Sequence, residues 1–225
     1  MITTNSFTSL LPGRDCRDDF RAAYENRYTW EPDFSGYQGT CLFEQNGQIV
    51  EGCFTVGADL KAQVSDIKDN DVHKAICGQL WEVAIHRVRR SFNQTHGQNT
   101  FTVGENDNVG MEVIVGGKNI GDRYRIKNNI VTMVHRNIHG NLITIFTESV
   151  VETGKGYLSR HYTSQYSNPK TGSPKGGASH FSDTFMPICE TGPWVLTERI
   201  IQTDDHIDKA ALRQVFRFNS LISLR

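Results

Sequence analysis

Apolar and polar residues alternate in short runs along nearly all of the chain after residue 36, and each run ends at a Gly, Asn or Asp turn. A period of two is typical of strands that bury one face. Helical spacing occurs in two long stretches, 15–28 and 71–92. Since helices and strands do not alternate, the pattern predicts an α+β fold: mainly antiparallel, with a strongly curved sheet or incomplete β-barrel of roughly ten strands and both helices on its concave side.

The predicted helices have apolar stripes that face the sheet. In the first helix, Asp15 is the expected N-cap, and the stripe consists of Phe20, Ala23, Tyr24 and Tyr28. In the second helix, Trp81 and Ile85 lie beside the main stripe and widen it. The cluster HRVRR ends this helix, and cations are expected there from the helix dipole alone. We therefore interpret the cluster as a solvated helix end rather than a phosphate or headgroup site.

Two hairpins are predicted from their turns. Asn46-Gly47 is typical of a two-residue type I′ turn, which places Phe43 opposite Val50. In the segment 130–150, Gly140-Asn141 is the expected turn. One face of this long hairpin then carries Met133, His135, Asn137, His139, Leu142, Thr144, Phe146 and Glu148. The opposite face carries Ile130, Thr132, Val134, Arg136, Ile138, Ile143, Ile145 and Thr147.

Both faces of the long hairpin are substantially apolar, whereas a sheet with one wet face shows a clear contrast. Two explanations remain open. Either helices and loops cover both faces, or one face lines a partly open cavity that holds a ligand. The alternation alone does not choose which face points inward.

Composition narrows the class of protein. The 225 residues suit a single domain, 1–225, with residues 1–14 as a flexible N-terminus. Lys and Arg (24) balance Asp and Glu (25), so nucleic acid is not an expected partner. No apolar run is long enough to span a membrane. The five cysteines are widely spaced without a CxxC pair, which favours reduced thiols and a cytoplasmic location.

The sequence contains no catalytic motif, and we predict no cofactor. GxSxG, HExxH and P-loop patterns are absent. His135 and His139 share a strand face, but residues four apart on a strand are separated by roughly 13 Å, which is too far for one metal ion. No metal site is therefore predicted.

Five segments carry a resemblance to a known family: FRAAYENRYTWEPDFSGY, QLWEVAIHRVRRSFNQTHGQNTF, VGGKNIGDRYRIKNN, VHRNIHG and ETGKGYLSRHY. Over essentially the whole chain, the sequence resembles a DUF3386-like family of uncharacterised proteins from cyanobacteria and plastids. More remotely, the order of elements is similar to the lipoprotein-carrier (LolA/LolB-like) fold, an open half-barrel with helices over a hydrophobic cavity. The chain lacks the export signal of that second group.

Three functional hypotheses follow. The first is a non-enzymatic carrier or chaperone for a hydrophobic small molecule such as a lipid, pigment or acyl chain, held between the curved sheet and the second helix. Its expected lining residues are Trp81, Ile85, Tyr124, Met133, His135, Leu142 and Phe146. The second, suggested by the distribution of the family, is an assembly factor of the photosynthetic apparatus that binds a protein partner. The third is an enzyme on a hydrophobic substrate that uses His135, His139 or His161 as acid or base.

Overall fold

The computed structural model describes residues 12–207 and 209–225. The helices are α1 (Arg17–Glu25), α2 (Asn70–His86) and α3 (Phe92–His96). The strands are β1 (Gly36–Gln45), β2 (Gln48–Gly57), β3 (Ala62–Ser65), β4 (Asn99–Asn106), β5 (Met111–Gly117), β6 (Arg123–Lys127), β7 (Ile130–Ile138), β8 (Asn141–Glu152), β9 (Tyr157–Ser167), β10 (Ser179–Pro187), β11 (Trp194–Thr203) and β12 (Leu212–Ser223).

All of these strands form one curved antiparallel sheet, and the helices pack on its concave side. The order is β3-β2-β1-β12-β11-β10-β9-β8-β7-β6-β5-β4, so β3 and β4 are free ends and the sheet does not close. The predicted fold class is confirmed. The described chain has twelve strands rather than roughly ten, and three helices rather than two.

The predicted helix at 71–92 is two helices with a break between them. The Ser91 hydroxyl accepts from the backbone N–H of Gln94, and the Gln94 side chain accepts from the backbone N–H of Ser91. This capping box starts a new helix, α3, because it satisfies backbone donors that a continuous helix would have used. The predicted helix was therefore wrong at its C-terminal end.

The N-terminal end of α1 is anchored to the sheet edge. The expected N-cap, Asp15, precedes the cap position by one residue, and its carboxylate accepts from the Arg17 N–H at 2.8 Å. The backbone N–H of Gly13 donates to Val103 in β4, and the N–H of Val103 donates to Arg14. Gly13 and Arg14, which were expected in the flexible segment, thus pair with β4. Residues 1–11 of that segment lie outside the described residues.

The first predicted hairpin is confirmed. Asn46 and Gly47 have φ angles of 51° and 77°, as a type I′ turn requires, and Phe43 pairs with Val50.

The second hairpin has a different turn from the predicted one. Its turn residues are His139 and Gly140, with φ angles of 49° and 75°, so Ile138 pairs with Asn141 and Met133 pairs with Phe146. The prediction of Gly140-Asn141 was wrong because the type I′ turn places glycine second, which moves the register by two residues. An even shift keeps every side chain on its predicted face.

Two hydrophobic cores lie against the sheet. The α2 core joins Ile76, Leu80, Val83 and Ala84 of the helix to aromatic residues of the sheet, among them Tyr37, Phe43, Phe54, Phe216 and Phe218. The α1 core joins Phe20 and Ala23 of α1 and Phe92 of α3 to Phe101, Val103, Val113, Val115 and Tyr124. Each core lies under its own helices at one end of the strand order.

Both cores lie on the same face of the sheet. Directly paired residues of antiparallel strands share a face, as do residues two apart on one strand. Pairs connect Phe216 to Arg199 and Arg199 to Asp183, and further along the sheet they connect Tyr124 to Val134 and Val134 to Ile145. These two sets of pairs are linked by Phe181, two residues before Asp183, and by Thr147, two residues after Ile145. Phe181 pairs with Tyr162, and Tyr162 pairs with Thr147. The concave face is therefore continuous from one core to the other.

Acidification is expected to destabilise the α1 core through His96. This side chain is 3% exposed. Desolvation by burial, followed by Arg136, Arg27 and Arg17, lowers the pKa of His96 to about 4. Because the unfolded imidazole titrates near 6.5, its contribution is full above that pH and is lost as the pH falls towards 4, by roughly 3 kcal/mol.

The measurement is the free energy of unfolding between pH 4 and 7 for the native chain and for His96→Gln. The difference between the two curves isolates this imidazole from the carboxylates that titrate in the same range. Parallel curves would contradict the assignment.

Candidate functional site

The central strand β8 is unusual because neither of its faces is fully covered. Ten of the described strands have a neighbour on both sides, and β8 alone among these ten has no buried residue. Interior strands of a packed sheet normally bury one face. The concave face is therefore uncovered at the position where β8 crosses between the two cores.

We define the central groove as the concave face of β7 to β10 between the cores. Its accessible floor is formed by Ile138, Ile143, Ile145, Thr147, Tyr162, Tyr166 and Phe181. The same face also carries Arg136, which is paired with Asp122, and the buried Ser164. The main helix contacts lie to either side: α2 packs on β1 and β3, whereas α1 packs on β4, β6 and β7. The rings of Tyr162 and Phe181 stack at 4.5 Å between centroids. The groove therefore has a mainly apolar floor.

The connector after α1 closes one end of the groove. The N–H of Tyr28 donates to Tyr157, and the N–H of Tyr157 donates to Asn26, so the connector pairs with the start of β9. The N–H of Trp30 donates to the carbonyl of Arg87, just after α2. The connector therefore joins α1, α2 and the sheet at this end.

A buried polar cluster forms the boundary between the groove and the α2 core. Arg199 donates two hydrogen bonds to the carboxylate of Asp183, at 2.8 and 2.6 Å. It also donates to Gln79 of α2 at 2.7 Å and to the Tyr162 hydroxyl at 2.9 Å. Burial raises the pKa of Tyr162 well above its usual value, so this hydroxyl stays protonated. The cluster fixes α2 and Tyr162 relative to the sheet.

Four of the seven predicted lining residues lie on the convex face. Met133 pairs with Phe146, and both point away from the helices, as do His135 and Leu142. Met133 is buried, whereas Phe146 is 42% exposed. The face expected to line the cavity is thus the outer one.

The other three predicted lining residues lie on the helix-bearing side but not in the groove. Tyr124 is buried in the α1 core, 4.5 Å from the ring of Phe20. Trp81 is 54% exposed. It lies one turn after Cys77, whose thiol contacts Ala62 in β3. Trp81 and Ile85 therefore follow the flank of α2 that is turned away from Gln79 and the groove. The seven side chains do not surround one cavity.

The groove residues were missed for two reasons. Ile143 and Ile145 were assigned to one face of the hairpin, but nothing local indicated that this face was concave. Arg199 and Asp183 come from two different strands, so neither sequence segment alone indicated the pair. The available signal was a charged residue within an alternating apolar strand, since a charged residue that is buried is normally paired.

The histidines considered for acid–base chemistry are separated from the groove. His135 bonds Thr144 at 2.8 Å and His161 bonds Ser149 at 2.8 Å, both on the convex side, while His139 is a turn residue. Desolvation, followed by Arg123, lowers the pKa of His135.

A polar row crosses the convex face near these histidines. The Thr163 hydroxyl bonds Glu148 and His180, and the other nitrogen of His180 lies 3.1 Å from Asp204. Glu148, His161 and His180 border a shallow cavity of about 190 Å³. Among the described residues, no three His, Cys, Asp or Glu side chains lie close enough to bind one metal ion.

A larger cavity of about 410 Å³ lies at the connector end of the sheet. It is bordered by residues 31–36 of the connector and by the turns after β8 and β10. Lys155 bridges one side of it to Glu31 at 3.1 Å. Charged side chains and turn backbone dominate this lining, so it fits a hydrophobic ligand less well than the central groove.

None of the helices in the described part of the chain is long and apolar enough to cross a membrane.

Comparisons with known proteins give a family and distant structural likenesses, of which two are described. The profile of the family described as "Protein of unknown function (DUF3386)" matches residues 12–224. Comparison with curated proteins gave no match. A LolA-superfamily protein of Nitrosomonas europaea is similar with 10% identity and a TM-score of 0.33, over 94% of both chains. A DUF1329-family protein of Desulfovibrio piger is similar with 9% identity and a TM-score of 0.27, over 92% of this chain and 91% of that chain.

Proposed function

We propose that this chain, which belongs to the DUF3386 family of proteins of unknown function, is a non-enzymatic carrier or chaperone that holds a hydrophobic ligand in the central groove. The ligand class is a lipid, a pigment or an acyl chain. One observation carries the proposal: β8 crosses the middle of the concave face without a buried residue, although Ile143 and Ile145 point into that face.

An uncovered apolar floor between two closed cores is the arrangement expected of a site that a ligand completes. Each partly buried aliphatic side chain gains roughly 25 cal/mol for every Å² that the ligand removes from water. The flanking cores are packed with aromatic residues and leave the groove as the open apolar part of the concave face. The proposal keeps the cytoplasmic location expected from the sequence.

The test is the binding of the neutral fluorophore N-phenyl-1-naphthylamine, which brightens in apolar surroundings. Ile145→Asp is expected to weaken binding at least tenfold, because it places a carboxylate on the apolar floor and desolvating a charge is costly. The matched control is Phe146→Asp, since Phe146 is adjacent in sequence and more exposed but lies on the convex face.

The two variants separate the two faces of the sheet. Loss of binding in Phe146→Asp but not in Ile145→Asp would contradict binding in the central groove and would place the ligand site on the convex face. No binding to the native chain would contradict the carrier function itself. If the native chain binds the fluorophore, native mass spectrometry of the protein purified from its own cells, followed by organic extraction, would identify the natural ligand.

A further inference from the structure

The connector end of the central groove contains positive charge that the protein does not neutralise. Arg27 follows α1 and Arg87 follows α2. Among the described residues, no carboxylate lies within ion-pairing distance of either guanidinium; by contrast, the nearby Arg199 is paired with Asp183 and Glu82. The two charges therefore differ from Arg136 and Arg199, the arginines of the groove strands that are paired with Asp122 and Asp183.

The Arg87 guanidinium is the clearest unpaired group. Its Nε atom is buried and has no hydrogen-bond partner among the described residues. The guanidinium lies 5.3 Å from the ring centre of Phe185, which is on the concave face of β10. Buried charged donors are normally paired, because an unmade charged hydrogen bond costs more than a neutral one. The negative end of the α2 dipole offsets only part of this charge.

Arg27 is held at the same end of the groove. Its Nε donates to the carbonyl of Tyr24 at 2.9 Å, and its guanidinium lies 3.9 Å from the ring centre of Tyr24. Backbone bridging places Arg27 beside Tyr157, at the start of β9. Since one edge of the guanidinium is used and the remaining donors make no hydrogen bond with the described residues, these donors are available to a ligand.

The lowered pKa of His86 is consistent with the same local excess of positive charge. This side chain is accessible to solvent. Desolvation by the surrounding protein, followed by Arg87, Arg27, Arg199 and Arg90, lowers its pKa to about 4. All of the charged groups that act on this imidazole are cations. Desolvation also lowers the pKa of Arg87 to about 10. Asp183 opposes this shift, whereas Arg199 and Arg27 lower the pKa further.

We infer that Arg27 and Arg87 bind the acidic head group, a carboxylate or a phosphate, of an amphiphilic ligand whose apolar tail lies along the central groove. This inference rests on the proposed carrier function and specifies its ligand class. The floor from Thr147 to Ile143 runs four residues along β8, a length on the order of 13 Å. Arginine suits such a head group because its donors match the geometry of carboxylate and phosphate oxygens.

The experiment is displacement of N-phenyl-1-naphthylamine by three competitors: dodecanoic acid, dodecan-1-ol and inorganic phosphate. The acid and the alcohol share a tail and differ in charge, whereas phosphate has the charge without the tail. Arg27→Gln and Arg87→Gln remove one cation each. Arg89→Gln is the control, because Arg89 is exposed and is not among the cations that act on His86. Thermal melts establish that each variant is folded, and Arg27→Gln alone carries the test if Arg87→Gln does not fold.

The expected result is that the native chain binds the acid about 10- to 100-fold more tightly than the alcohol, as one or two charged hydrogen bonds provide. Both groove variants should lose most of this preference while they bind the alcohol unchanged, and Arg89→Gln should keep it. Equal affinity for acid and alcohol in all four proteins would overturn the head-group inference and leave the carrier function standing.

Two other outcomes would contradict the carrier function or the amphiphilic ligand as well. If neither amphiphile binds and the fluorophore does not bind, both the inference and the carrier function are wrong. If only inorganic phosphate binds, and does so through Arg27 and Arg87, the site is a small-anion site without a tail channel, and the amphiphile is excluded.

Discussion

Asp183→Ala is expected to lower the free energy of unfolding by about 3–5 kcal/mol, because it leaves the Arg199 guanidinium buried without its carboxylate. The side chains of Arg199 and Asp183 are 3% and 2% exposed, and they share two hydrogen bonds. Of the remaining partners, Gln79 and the Tyr162 hydroxyl are neutral. The carboxylate of Glu82 lies 3.5 Å away but is 40% exposed, so it replaces Asp183 only weakly. The measurement is urea unfolding at pH 7.

The matched control is Glu198→Ala. Glu198 pairs with Arg217 at 2.8 Å, but the side chains are 34% and 38% exposed, so we expect a loss below about 1 kcal/mol. The double variant Asp183→Leu with Arg199→Met should recover much of the stability, because it removes both buried charges together. Equal losses for Asp183→Ala and Glu198→Ala would contradict a buried ion pair at the groove boundary.

Phe20→Ala is expected to cost about 3–5 kcal/mol of unfolding free energy, because it empties the centre of the α1 core. Phe20 is 0% exposed. Its ring lies within 6.3 Å, centre to centre, of five other rings: Tyr24, Phe92, His96, Phe101 and Tyr124. These contacts join α1 and α3 to the sheet, so the loss should appear as a lower midpoint of urea unfolding with an unchanged slope.

Phe146→Ala is the control for this second prediction, since it removes the same ring from the convex face, where 42% of the residue is exposed. We expect a loss of about 1 kcal/mol or less. A small effect of Phe20→Ala would mean that the α1 core is loosely packed, and Tyr124 would then become available to a ligand after all.

Local patterns predicted the parts of the fold that depend on nearest neighbours. The period of two sorted the long hairpin into its two correct faces, even though the turn was placed one residue too late. Helical spacing found Phe20 and Ala23 as the buried side of α1. Asn46-Gly47 fixed the first hairpin, since few residue pairs adopt two successive positive φ angles.

The sequence by itself determined the antiparallel class, the turn at Asn46-Gly47 and the membership of each face of the long hairpin, because turn chemistry and side-chain alternation act over a few residues. Only the tertiary structure decided that Ile143 and Ile145 face the helices while Met133 and Phe146 face outwards. The direction of a strand face depends on which strands pair beside it and on the β-bulges between them, such as the one at Arg125 and Ile126. The tertiary structure also decided that Arg199 meets Asp183, because β10 and β11 pair in the register that places them opposite each other. It brought the segments of Arg27 and Arg87 together, because the connector after α1 bonds both the end of α2 and the start of β9.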